Sequence, residues 1–168
     1  MSGRWNAWSD CYLPLVLMLL FFFPMNPSQI LIWNVRGLNS VARRNAVRVL
    51  VDSAKIDIIC LQETKMVAIT RQTILSMLGS DFDNNFICLP SVGASGGILI
   101  AWRRRLGAAQ ASRVDTHSVS VQFCSANGIP WWLTTKHSRE DTILTRTPGY
   151  PKSMHRCLDG GRGLQPKL

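Results

Sequence analysis

The sequence predicts a mixed α/β fold, and three observations carry the prediction. A short apolar strand, Ile30–Trp33, is followed by a segment with helical periodicity. A second apolar strand, Ile56–Leu61, comes directly after that segment. Further short apolar runs follow, separated by glycine-rich or polar turns. Strands that alternate with helices across short connections are typical of this class.

Length and composition limit the kind of protein further. The 168 residues suffice for one domain with a hydrophobic core, and an apolar content of 46% argues against overall disorder. The net charge of +9 suits a polyanionic partner, because lysine and arginine displace counterions from phosphates. Five well-separated cysteines and three scattered histidines indicate neither a disulfide framework nor a Cys/His zinc site.

The first predicted strand leads into a helix. After Ile30–Trp33, the segment Gly37-Leu38-Asn39-Ser40 turns the chain and offers a helix N-cap. Apolar residues then recur at helical spacing, while three arginines face elsewhere: Val47, Leu50, Val51 and Ala54 against Arg43, Arg44 and Arg48. This pattern predicts a crossover helix with a basic outer face. The strand Ile56–Leu61 is apolar enough to lie in the middle of a sheet.

The next elements are shorter. Thr70–Leu78 is predicted to be a helix ended by Gly79, and Phe86–Leu89 a third strand. The glycine-rich loop 93–97 is interpreted as a hairpin turn before the strand Ile98–Trp102. It could instead approach a phosphate, although it lacks P-loop spacing. Two more segments are predicted strands: Val114–Phe123 and Trp131–Thr134.

Polar residues end the first two strands. Asn34 follows the first strand, and Gln62-Glu63-Thr64-Lys65 follows the second. An amide and a carboxylate side by side at one sheet end can bind a divalent cation on a phosphate. Taken singly, an asparagine after a strand is more often a turn former, and a glutamate is usually a solvated surface carboxylate.

Three segments, in this order, resemble the endonuclease/exonuclease/phosphatase superfamily, most closely the endonuclease domain of plant LINE-type (non-LTR) retrotransposons. They are Ile30-Leu31-Ile32-Trp33-Asn34-Val35-Arg36-Gly37-Leu38-Asn39, Asp57-Ile58-Ile59-Cys60-Leu61-Gln62-Glu63-Thr64-Lys65 and Ser95-Gly96-Gly97-Ile98-Leu99-Ile100-Ala101-Trp102. The resemblance covers about 25–135. It implies a DNase I-like, four-layered α/β sandwich, truncated to its first half.

The resemblance also implies roles for individual residues. It implies Mg²⁺-dependent cleavage of DNA, with Glu63 as the metal ligand and Asn34 orienting the phosphate. Arg36 stands where the DNA-repair branch has an acid, and it agrees with the retrotransposon branch. Lys65 is either a phosphate contact or a strand-end charge. Candidates for nucleic-acid binding are therefore Arg36 and Lys65, joined by the basic run Arg103, Arg104 and Arg105, for which a solvated strand-end cap is the alternative.

Motifs that the resemblance leads one to expect after Thr135 are absent from this sequence. They are a Tyr-Gly-Pro, a Gly-Asp-Phe-Asn with the general-base aspartate, and a Ser-Asp-His with a histidine that stabilises the transition state. Permitted synonymous codons for 155–167 read T-G-A-W-M-V-A-G-D-F-N-L in the next frame. We therefore expect a partial domain over 25–135 and an irregular, out-of-frame tail over 136–168. We also expect one face of the first sheet to lack its partner sheet and to remain exposed or be covered by makeshift packing. Unprotected apolar strands should then make the chain prone to aggregate.

Residues 1–24 differ from the rest of the chain. The run Leu13–Phe23 is nearly all apolar, shorter than a membrane span of ~20 residues and within the ~7–15 of a signal-peptide core. Its flanks fit a signal peptide poorly, whereas Met25-Asn26-Pro27-Ser28 looks like the start of the retrotransposon frame. We expect an accidental upstream extension, with a signal or anchor as the alternative.

Three functional hypotheses follow. The first is a catalytically dead relic of a Mg²⁺-dependent DNA endonuclease, which binds Mg²⁺ weakly or not at all. The second is a non-catalytic nucleic-acid-binding fragment that uses the basic helix and the basic run 103–105. The third is a small secreted or membrane-attached protein, which depends on Leu13–Phe23 alone. DNA is the expected partner, no protein partner is predicted, and the family implies a nuclear or cytoplasmic location unless 1–24 acts as a signal.

Overall fold

The computed structural model describes residues 28–93, 95–125, 127–136 and 143–145. The helices are α1 (Val41–Ser53) and α2 (Arg71–Leu78), with short 3₁₀ helices at Ser80–Phe82 and Arg104–Leu106. The strands are β1 (Ile30–Asn34), β2 (Ile58–Gln62), β3 (Phe86–Val92), β4 (Ser95–Trp102), β5 (Ala111–Val114), β6 (Ser118–Cys124), β7 (Pro130–Lys136) and β8 (Ile143–Thr145).

Both helices begin at side-chain caps. The Ser40 hydroxyl accepts a hydrogen bond from the Arg43 N–H at 3.2 Å, which satisfies a donor that has no partner within α1. The Thr70 hydroxyl caps α2 in the same way, from the Thr73 N–H. Gly79, with φ +90°, ends α2 in a conformation that favours glycine. These local signals confirm the two predicted helices.

The first sheet, sheet A, has the strand order β1-β2-β4-β3. Strands β1 and β2 are parallel, and α1 is the crossover between them. Strand β4 pairs antiparallel with β2 on one side and with β3 on the other. Both helices cover one face of the sheet, where they enclose a buried core that includes Leu31, Leu61, Val47, Val51, Ile74 and Phe82.

A second sheet, sheet B, covers the other face of sheet A. Its antiparallel strands have the order β5-β6-β7-β8. The core between the sheets includes Ile30, Ile58 and Ile100 from sheet A and Val119, Val121, Phe123 and Leu133 from sheet B. Alternate residues of β6 and β7 are apolar and point to sheet A, since successive side chains of a strand face opposite sides. The expectation that sheet A lacks a partner sheet is therefore wrong.

The mixed α/β class is confirmed. Two helices over two packed sheets are consistent with a truncated DNase I-like sandwich. The structure differs from the expected irregular tail at Lys136, which ends β7, and at Ile143–Thr145, which pairs with β7 as β8. The apolar run Leu13–Phe23 lies outside the described residues. No helix in the described part is long and apolar enough to cross a membrane.

Candidate active site

The two predicted polar residues meet at one end of sheet A. The parallel register sets Asn34 opposite Gln62, the residue before Glu63. The loops that follow run side by side, because the Val35 N–H donates to the Gln62 carbonyl at 3.0 Å and the Leu38 N–H to the Thr64 carbonyl at 2.8 Å. The juxtaposition expected from the sequence is thus present in the structure.

The Glu63 backbone is held in an unusual conformation. Its φ is +57°, a left-handed value that a residue other than glycine adopts only where its surroundings require it. The surroundings here are hydrogen bonds to β4, in which the Thr64 and Lys65 N–H groups donate to the carbonyls of Gly97 and Gly96. Arg36 and Lys65 also have positive φ, so three such residues cluster in two adjoining loops. Clustered strain of this kind is typical of functional sites.

The Glu63 carboxylate is half-buried and weakly engaged. Its Oε2 accepts a hydrogen bond from the Gly96 N–H at 3.4 Å, and no ion pair is formed with any described residue. Asn34 is also half-buried, and its Oδ1 accepts from the Arg36 N–H at 3.3 Å, as in a turn. Asn34 therefore shapes the turn, while its amide nitrogen is left to donate to a ligand.

Gly97 lets the Glu63 loop approach β4 closely. Its φ is +87°, and a Cβ added there would lie 2.3 Å from the Thr64 Oγ1 and 3.3 Å from the Lys65 backbone nitrogen. Any side chain there would displace Thr64 and press on the Lys65 backbone. Gly96 and Gly97 thus serve this approach from within β4. The antiparallel pairing of Val92 with Ser95 confirms the predicted hairpin turn, with β4 beginning at Ser95 rather than at Ile98.

Several cations gather at the same sheet end. The side chains of Arg36 and Lys65 are exposed there. Arg43 of α1 donates through Nη1 to the Arg36 carbonyl at 2.6 Å, and Arg44 to the Leu38 carbonyl at 2.8 Å. Both arginines brace the loop after β1 while adding positive charge to it. An open groove of about 630 Å³ lies beside Lys65, lined also by Asn39, Met66, Val67, Ala68 and Gly93.

The basic run 103–105 lies at the opposite end of sheet A. The run follows Trp102, which pairs with Ile58, the first residue of β2. At a rise of about 3.3 Å per residue, Ile58 lies roughly 17 Å from Glu63. Arg103 donates to the Ile56 carbonyl and to Asp81, both at 2.7 Å, and Arg105 donates to Asp57 at 2.8 Å. The structure does not bring these arginines to the site, and their contacts are those of a strand-end cap.

Two residues at the site, Gln62 and Thr135, were not predicted from the sequence. The side-chain amide of Gln62 is buried and donates to the Thr135 Oγ1 at 3.1 Å and to the Lys136 carbonyl at 2.9 Å. One signal was available, since Gln62 continues the inward-facing series of Ile58 and Cys60 and a polar residue at such a position needs a buried partner. That Thr135 is the partner could not be read from the sequence.

The donor set is a small one. No group of three or more His, Cys, Asp or Glu side chains lies together within the described ranges. Glu63 supplies one carboxylate, whereas the Asn34 Oδ1 already accepts from the Arg36 N–H. Mg²⁺ is commonly held by one or two carboxylates and keeps several waters, so Glu63 fits a hydrated, weakly bound ion.

Comparison with known proteins identifies a family. The model of the Endonuclease/Exonuclease/phosphatase family matches residues 31–150, a range that includes Asn34, Glu63 and strands β2 to β8. No curated protein matches the chain. The family comprises hydrolases of the nuclease and phosphatase type, and the match spans more than half of the sequence. The chain therefore belongs to the endonuclease/exonuclease/phosphatase family.

Proposed function

We propose that this chain is a relic of a LINE-type retrotransposon endonuclease, which binds a hydrated Mg²⁺ and a DNA phosphate at the Asn34–Glu63 edge without cutting DNA. The observation that carries the proposal is the weakly engaged Glu63 carboxylate that follows β2, at the sheet end where the parallel strand β1 also ends, at Asn34. The order and wording of the three matching segments, with Arg36 after Asn34, support the retrotransposon origin.

The proposed binding chemistry uses the chain's own groups. Glu63 offers carboxylate oxygens to the cation, and the Asn34 amide donates to a phosphate oxygen. The cation, when bound, neutralises negative charge on the phosphate. Arg36 and Lys65 add positive charge on either side, which favours the phosphate electrostatically.

The proposed lack of cleavage rests on what the sequence does not contain. None of the expected Tyr-Gly-Pro, Gly-Asp-Phe-Asn and Ser-Asp-His motifs follows Thr135 in these 168 residues. General acid–base assistance alone is worth about 10²- to 10⁴-fold in rate. Without the aspartate and histidine of those motifs, these 168 residues lack the groups to which the resemblance assigns the activation of water and the stabilisation of the transition state.

The test measures cation binding and cleavage on the full chain. We expect calorimetry to detect a weak Mn²⁺ site that Glu63→Gln removes, because the substitution deletes the charged ligand and preserves shape. Asp52→Asn on exposed α1 is the matched control, since it removes one negative charge far from the site. Supercoiled plasmid should stay intact with Mg²⁺. Equal Mn²⁺ binding by Glu63→Gln and the parent would refute the cation assignment, and Mg²⁺-dependent nicking would refute the inactivity.

A second candidate function is phosphate-directed DNA binding without a cation. Its support is the gathering of Arg36, Arg43 and Lys65 at one sheet end, whereas Arg103 and Arg105 are paired with aspartates. A salt titration tests it: affinity should fall steeply with salt and fall further in the double variant Arg36→Gln/Lys65→Gln. Arg104→Gln, an exposed arginine at the opposite end, is the control. Equal losses of affinity in both variants would show that DNA does not bind at the end of sheet A that carries Arg36 and Lys65.

A further inference from the structure

We infer that Gln62 is a positioning residue, which holds the Glu63 carboxylate at a set distance from sheet B and thereby sets the cation affinity of the site. The inference rests on the proposed function, because it concerns the same carboxylate. Gln62 itself touches neither the cation nor the phosphate in this proposal. It acts through the backbone that joins it to Glu63.

Hydrogen bonds support the Glu63 segment within the sheet. Within the plane of sheet A, the segment is held from both sides: the Gln62 carbonyl accepts from Val35, and the Thr64 N–H donates to Gly97. These bonds act within the sheet. The Gln62 side chain adds a polar restraint perpendicular to it, because it crosses to β7 of sheet B.

The donors of the Gln62 side chain match the acceptors at the end of β7. The amide nitrogen of glutamine has two hydrogens, and both are used, one on the Thr135 hydroxyl and one on the Lys136 carbonyl. The Lys136 carbonyl can only accept a hydrogen bond, so a glutamate at position 62 would place a carboxylate oxygen against another acceptor. Gln62 is 2% exposed and Thr135 is fully buried, so water cannot easily replace either bond.

The Gln62 bridge ends where the expected partner half of the site would begin. The resemblance leads one to look for that half after Thr135, the residue that Gln62 contacts. A bond between Gln62 and the end of β7 therefore fixes Glu63 relative to the point where that segment departs. Groups that orient a metal ligand typically change metal affinity by about 10- to 100-fold when removed.

The experiment uses Gln62→Met in the full chain. Methionine has nearly the same length and no hydrogen-bond donor, so the bridge is lost with little change in volume. Gln122→Met is the matched control, because Gln122 lies on the outer face of β6, away from the site. Thr135→Val is the second variant, which removes one of the two acceptors and leaves the Lys136 carbonyl in place.

Two quantities are measured: the Mn²⁺ dissociation constant by electron paramagnetic resonance, and the hydrogen exchange of the Thr64 and Lys65 amides without metal. Gln62→Met should weaken Mn²⁺ binding about tenfold or more and speed both exchanges. Thr135→Val should produce smaller changes of the same kind, and it decides the matter if Gln62→Met does not fold. Gln122→Met should change neither quantity.

Each outcome has a definite meaning. A lower melting temperature with unchanged Mn²⁺ affinity and unchanged exchange at Thr64 and Lys65 would overturn the inference, because Gln62 would then be merely structural. Binding by the parent that Glu63→Gln removes and Gln62→Met preserves would overturn it as well, while leaving the proposed function intact. If the parent binds no Mn²⁺, the proposed function fails, and the exchange data still decide whether Gln62 positions Glu63.

Discussion

Replacing Gly97 with alanine is expected to destabilise the protein by two separable effects. The first is backbone strain, since φ at Gly97 is +87°, which costs a residue with a Cβ about 1–2 kcal/mol. The second is steric, because the new Cβ would lie 2.3 Å from the Thr64 Oγ1, and overpacking of this kind costs about 1–3 kcal/mol. Thr64 is fully buried, so its side chain has little room to move away from the new Cβ. The expected loss of unfolding free energy is roughly 2–5 kcal/mol.

Urea denaturation of the purified chain measures that loss. Gly107→Ala is the matched control, because Gly107 has φ +77° and nothing lies within 4 Å of its added Cβ. This variant should lose only the unfolding free energy that the backbone strain accounts for. The double variant Gly97→Ala/Thr64→Ala should recover the steric part, because the clashing hydroxyl is gone. Equal destabilisation by Gly97→Ala and Gly107→Ala would show that the Glu63 loop does not approach β4 as closely as described.

Three further predictions concern other parts of the molecule. Burial raises the pKa of the Cys60 thiol. Iodoacetamide at pH 8 should therefore modify the exposed Cys124 and spare Cys60 in a peptide map of the native chain. Rapid loss of the Cys60 thiol would contradict the core packing. The hydrogen bond from Arg71 lowers the pKa of Asp83, so this pair stabilises the fold above the usual aspartate pKa and loses that effect as pH falls through the lowered value. Asp83→Asn should therefore flatten the acid side of a plot of melting temperature against pH, and an unchanged profile would mean that the pair is not formed in solution. The nucleotide sequence across codons 130–168 and downstream should read Gly-Asp-Phe-Asn and then Ser-Asp-His in the adjacent frame. Restoring that frame should yield Mg²⁺-dependent nicking of plasmid DNA that Glu63→Ala abolishes. An adjacent frame without these motifs would remove the support for a relic.

The packing of the two sheets also changes what is expected of the chain in solution. Aggregation was expected through a face of sheet A that had no partner. Sheet B buries that face, with Val119, Val121 and Leu133 set against it. The reason for aggregation at this surface is therefore gone, and a cooperative thermal transition of the soluble chain is the expected behaviour. Unfolding in separate steps would show that the two sheets do not share one core.

The sequence by itself determined the elements whose signals are local. The caps Ser40 and Thr70 set the helix starts, and the apolar runs before Asn34 and Glu63 identify two buried strands. It also determined that an amide and a carboxylate share one sheet end, because two strands joined by a crossover helix run parallel and finish at the same edge. Each of these inferences depends on residues within one element or on its immediate connection.

Only the tertiary structure decided which surfaces meet. Alternating residues in β6 and β7 show that one face is apolar, but not that this face packs on sheet A rather than on another surface. The basic run 103–105 has the same appearance whether it binds DNA or caps Asp57 and Asp81, and its partners lie more than 20 residues away along the chain. The bridge from Gln62 to Thr135 joins residues 73 positions apart. Contacts at such separations follow from the packing of whole sheets, because no local propensity connects the residues that make them.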